Sequence, residues 1–141
     1  MKPMKRVVEP EWLDELPAAD PRAARSRLDL RRINGLMGNA SLVAGLLRRM
    51  IGDEEICHLV ELAAGDGAFA FNLTRRISSV VRVNEVTLVD RVAPVTTQSP
   101  EAFAKLGCKL HLVTADVFDW LAEARPASVV VANLFLHHFH G

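Results

Sequence analysis

Four polar residues each close an apolar run: Glu61 in HLVEL, Asp90 in TLVD, Asp116 in VTAD and Asn133 in VVAN. After the first run comes a loop of small residues, Ala63-Ala64-Gly65-Asp66-Gly67, and then a helix-compatible segment. Such a loop lets backbone N–H groups approach a nucleotide-like ligand closely. The strand-ending carboxylates and amide supply hydrogen-bonding groups beside it. Further along, His137 and His138 titrate near neutrality when unperturbed, which suits a general base.

Each residue also has a structural reading. Glu61 either touches a ligand or neutralises the helix start and organises the loop. Asp90 and Asp116 also suit helix N-caps, and Asp119 lies close enough to cap in place of Asp116. His137 and His138 equally suit pocket walls or a helix start. A zinc site from His137, His138 and His140 lacks other clustered ligands.

The elements that position these residues follow from the spacing of apolar positions. Strands are predicted over Cys57–Leu62, Glu85–Val89, Leu110–Val113 and Ser128–Ala132. Helices are predicted over about Ala68 to Ile77, from about Ser99 to Leu106 with Ser99-Pro100-Glu101 as start signal, and over Trp120–Ala124. The strands read as continuous apolar runs, which suits a parallel sheet covered on both faces. Alternating strands and helices imply a doubly wound α/β sheet, with ligands at the carboxyl ends of its strands.

The first 54 residues differ in character. Asp20-Pro21 reads as a helix start, and Arg22–Met37 carries Leu28, Ile33, Leu36 and Met37 near helical spacing. Its arginines read as a solvated face, with an anionic substrate or nucleic acid as the alternative. Gly38-Asn39 reads as a stop, and a second helix runs from Ser41 to Ile51, closed by Gly52-Asp53. The expected division is an N-terminal helical cap over 1–54 and a ligand-binding core over 55–141.

The chain has 141 residues, enough for one domain with a buried core. Lysine plus arginine equals aspartate plus glutamate at 17 each, so no global field draws it towards nucleic acid or membrane. Cys57 and Cys108 lie far apart and read as buried small apolar residues rather than a disulfide. No apolar run is long enough to span a bilayer and no signal-peptide core is evident, so a cytoplasmic location is expected.

Residues 55–140 resemble the class I S-adenosylmethionine-dependent methyltransferases. Their first motif, an acidic residue followed by Gly-x-Gly-x-Gly, is similar to Glu61-Leu62-Ala63-Ala64-Gly65-Asp66-Gly67, with Ala63 in place of the first glycine. The resemblance implies that the loop with Gly65 and Gly67 cradles the cofactor's amino-acid part. It implies that Asp90 holds the ribose hydroxyls and that Asp116 binds the adenine amino group, with Val117 and Phe118 against the ring. Asn133-Leu134-Phe135-Leu136-His137-His138-Phe139 resembles the family's N-L-x-x-H-H-F motif, which lies near the transferable methyl group. That version occurs in quinone-biosynthesis C-methyltransferases and many small-molecule methyltransferases. Under this reading the chain methylates a small-molecule acceptor, and Asp90→Ala weakens cofactor binding without unfolding the chain.

The family's sheet runs 3-2-1-4-5-7-6, whereas only the strands for a partial Rossmann-like sheet, 3-2-1-4, are visible here. Strand four is then an exposed apolar edge, prone to self-association or to pairing with a partner. Truncation is the favoured explanation, beside completion by a second chain or cover from the N-terminal helices. Two rivals remain. A non-catalytic cofactor-binding subunit or remnant fits the missing strands and Ala63. A nicotinamide-dependent oxidoreductase fits Ala63-x-Gly65-x-x-Ala68 and Asp90, but leaves Glu61 and the Asn133–Phe139 motif without a role.

Overall fold

Valine, leucine and isoleucine dominate four short segments, and these pair side by side as one sheet. The structure is a computed structural model that describes residues 21, 22, 25, 38–52, 54–93 and 98–133. The chain forms two compact units, Met1–Ile33 and Asn34–Gly141. In the first, Pro21, Arg22 and Arg25 are helical and exposed, while the rest of the predicted Arg22–Met37 helix lies outside the described residues.

In the second unit the order is α1 (Asn39–Ile51), β1 (Ile56–Leu62), α2 (Ala68–Ile77), β2 (Val83–Asp90), α3 (Pro100–Lys105), β3 (Lys109–Thr114), α4 (Val117–Glu123) and β4 (Val129–Val131). All four strands are parallel, in the order β3-β2-β1-β4. This is the expected doubly wound α/β arrangement. Among the described residues no helix is long and apolar enough to cross a membrane.

The helix limits have local causes. Gly38 stands at the N-cap of α1 with φ 63° and Gly52 at its C-cap. The Gly38-Asn39 pair therefore opens this helix, two residues before the Ser41 start expected from the sequence, while the end of the preceding segment lies outside the described residues. Ser99 caps α3 by accepting from the Ala102 amide, and Pro100 fills the first turn, where no N–H is needed.

One sheet face is mostly apolar, with Glu61 beside Leu88 as its buried acid. Leu59, Val86 and Leu88 pack there with Leu47 of α1, Ala70, Leu73 and Ile77 of α2, and Phe103 of α3. The Phe71 and Phe103 rings meet edge to face at 5.2 Å. The other face departs from the expectation of apolar cover throughout. Its carboxyl end packs Val60, Leu62 and Val89 under Val117 of α4. Below that, pleating and register bring together His58, Glu85 and Lys109, then Thr87 and His111. The buried His58 Nε2 lies 2.7 Å from Thr87 Oγ1, and Glu85 pairs with Arg125 and, at 3.4 Å, with His111. Arg125 holds the Glu85 carboxyl below its ordinary range. Glu85 and His111 are half-buried and Lys109 is exposed here, whereas His58 and Thr87 are buried. Cys108 is buried as expected, but Cys57 is exposed at the start of β1.

Candidate functional site

β1 and β2 run in register to Leu62 and Val89, so Asp90 emerges beside the loop that leaves β1. That loop reverses through left-handed backbone at Ala63 (φ 51°), Gly65 (φ 57°) and Gly67 (φ 68°). The Ala64 amide donates to the Val89 carbonyl at 3.1 Å, and the Gly67 amide to the Ala64 carbonyl at 2.9 Å. Among the described residues, a Cβ placed on Gly65 would meet nothing within 4 Å, so the loop is open at that position.

Gly67 is the N-cap of α2 and brings no side chain to accept from the first-turn amides. Carboxylates from elsewhere do so. Asp66 Oδ1 accepts from the Ala68 amide at 3.1 Å. Glu61 Oε2 reaches out of β1 and accepts from the Ala70 amide at 3.1 Å. Asp90 accepts from Gly65 N through Oδ2 at 2.8 Å and from Val92 N through Oδ1 at 3.0 Å. A ring of three acids thus wraps the loop and occupies amides that a helix start would otherwise offer to an anion.

Glu61 is only 3 % exposed. Burial raises its pKa to about 8 against the opposing effect of the Ala70 amide, and the nearby Asp66 and Asp90 charges push it the same way as burial. Its carboxyl organises the base of the loop, one of the two roles left open by the sequence.

The third strand-end carboxylate, Asp116, caps α4 by accepting from the Phe118 amide at 2.9 Å. Val117 turns into the core with Val60, Leu62 and Val89, whereas Phe118 is exposed. Past β4, Asn133 Oδ1 accepts from Asn39 Nδ2 at 3.2 Å, joining the start of α1 to the strand end. His137 and His138, with the rest of that motif beyond Asn133, lie outside the described residues. Among the described residues no group of three or more His, Cys, Asp or Glu is placed to hold a metal ion.

Two residues of this edge escaped the sequence reading. Asp66 caps the helix that its own loop enters, a role that Asp-Gly before an apolar helix could have signalled. Asn39 was hidden because a Gly-Asn pair punctuates helix starts and stops alike.

Ala63 carries the cost of its left-handed backbone. A left-handed alanine is disfavoured by roughly 1–2 kcal/mol. Ala63→Gly removes that strain but adds backbone freedom to the unfolded chain. The expected net effect is a gain of about 0.5–1 kcal/mol, read as a higher urea midpoint at unchanged slope.

Compared with models of known protein families, the sequence matches none, and no curated protein matches it either.

Proposed function

We propose that this chain binds S-adenosylmethionine at the carboxyl edge of the sheet and transfers its methyl group to a small-molecule acceptor. The observation that carries this reading is the acid ring of Glu61, Asp66 and Asp90 around an open glycine loop. A pyrophosphate needs free helix-start amides and a positive field. Here Asp66 and Glu61 already accept from two of those amides, which disfavours a nicotinamide dinucleotide. A ligand carrying a sulfonium and an α-ammonium gains from the Asp66 and Asp90 carboxylates, while buried Glu61 keeps its proton and serves the helix start.

The residues present fit that ligand. The Gly65 surface leaves room for its amino-acid part. Asp90 spends one contact per oxygen on backbone amides, and a carboxylate has about four acceptor sites, so two ribose hydroxyls still find partners. Asp116 uses Oδ1 for its cap and retains Oδ2 towards an adenine amino group. When bound, the cofactor supplies an already activated methyl group; the protein's task is to position the acceptor in line and exclude water. Asn133 is assigned to the cofactor, and His137 and His138 to the acceptor side, with a histidine taking a proton from an oxygen or carbon acceptor. β4 is an outer strand of the described sheet, and a partner segment or second copy pairs there under this reading.

The test loads the chain with methyl-labelled S-adenosylmethionine and offers oxygen, nitrogen and carbon acceptors. Labelled product establishes the enzyme. Selective cofactor binding with no product in any class makes the chain a cofactor-binding subunit. Failure to bind refutes the reading.

A further inference from the structure

The Asn39–Asn133 bond fixes more than a loop position. Glu61 pairs with Val131 in the β1–β4 register, so Asn133, two residues beyond β4, leaves the sheet at the same edge as the glycine loop that follows Leu62. Both asparagines are partly buried, and they are 94 residues apart in the chain. The Asn133 carbonyl oxygen is turned to Asn39. The planar amide therefore directs its N–H2 group away from α1, and among the described residues nothing accepts from that group. A neutral donor at this position has a use. The Asp66 and Asp90 carboxylates suit the ammonium and sulfonium of the cofactor but repel its α-carboxylate, which needs N–H donors.

We propose that Asn39 is a positioning residue that holds the Asn133 amide with its N–H2 group towards the α-carboxylate of the bound cofactor. This inference rests on the functional reading above and adds a residue and a polarity to it. Asn39→Asp provides the sharpest consequence. An aspartate can only accept, so Asn133 must turn its N–H2 group to residue 39 and its carbonyl to the ligand carboxylate. The same substitution places a negative charge in the first turn of α1, which favours the helix.

The experiment measures binding of S-adenosylhomocysteine and of 5′-methylthioadenosine, which lacks the amino-acid part, to the full chain and its variants, with thermal unfolding of each. Asn39→Ala is expected to weaken S-adenosylhomocysteine about tenfold and to leave 5′-methylthioadenosine within roughly twofold. Asn39→Asp is expected to weaken S-adenosylhomocysteine further while unfolding no earlier than the wild type. Asn133→Ala added to Asn39→Ala is expected to cost little more, because the two act as a unit. Equal losses for both ligands, or an unchanged affinity in Asn39→Ala, overturn the inference alone. A wild-type chain that binds neither ligand overturns the functional reading and this inference with it.

Discussion

Glu61→Gln is expected to flatten the pH dependence of folding stability between pH 5 and about 8. The folded carboxyl holds its proton up to about pH 8, against an ordinary value of 4.5. In that window the native state binds a proton that the unfolded chain has released. Stability is then full below about pH 4.5, falls as pH rises through the window, and levels off above the folded pKa. At about 1.4 kcal/mol per pH unit of difference, the loss is several kcal/mol, a large share of a small domain's stability. Glutamine keeps a carbonyl oxygen for the Ala70 amide and never ionises, so the variant should match the wild type near pH 5 and exceed it near pH 9. Urea unfolding at a series of pH values checks this. A wild-type stability that rises from pH 5 to 8, or a variant that keeps the wild-type slope, contradicts it.

Asp90→Ala is expected to lose on two counts. It removes the acceptors of the Gly65 and Val92 amides, which lie at 2.8 and 3.0 Å. Hydrogen bonds to charged groups contribute about 1.5–3 kcal/mol each, and this partly exposed carboxylate belongs at the lower end, so about 2 kcal/mol of stability should go. Affinity for S-adenosylhomocysteine should fall about 100-fold, because the ribose loses its partner and the loop its clamp. A 2′-deoxyribose analogue separates the two causes. Wild type should prefer the ribose compound, and Asp90→Ala should bind both equally weakly. A variant that still discriminates shows that Asp90 acts on the loop alone.

Much of the fold was legible because its signals are local. The helix over Ala68 to Ile77 has the limits read from its apolar spacing, and Ser99-Pro100 marks the start of α3. The strands were read slightly short where polar residues sit at their starts: β2 begins at Val83, before Asn84 and Glu85. The same short-range view concealed the two-faced sheet. Glu85-x-Thr87 and Lys109-x-His111 are alternations, but their neighbours Val86, Leu88, Leu110 and Leu112 made both strands read as continuous apolar runs.

At the site, the edge formed by the strand ends was legible because parallel order places every strand end on one side. The use each side chain makes of that position was not. Glu61 turns inward because Gly67 leaves the first turn of α2 uncapped, a need set by the αL backbone and not by residue spacing. Asn39 reaches Asn133 across the fold, and no local pattern encodes a bond between residues so distant in sequence.

The acid-ringed glycine loop is expected to take a nucleoside with an ammonium-bearing amino-acid arm and to reject a pyrophosphate. Calorimetric titration of the same preparation with S-adenosylhomocysteine and with NAD tests it most directly. Saturable binding of S-adenosylhomocysteine, at least about tenfold tighter than NAD, is the expected result. Binding of NAD at equal or greater affinity, or a folded chain that binds neither, contradicts it.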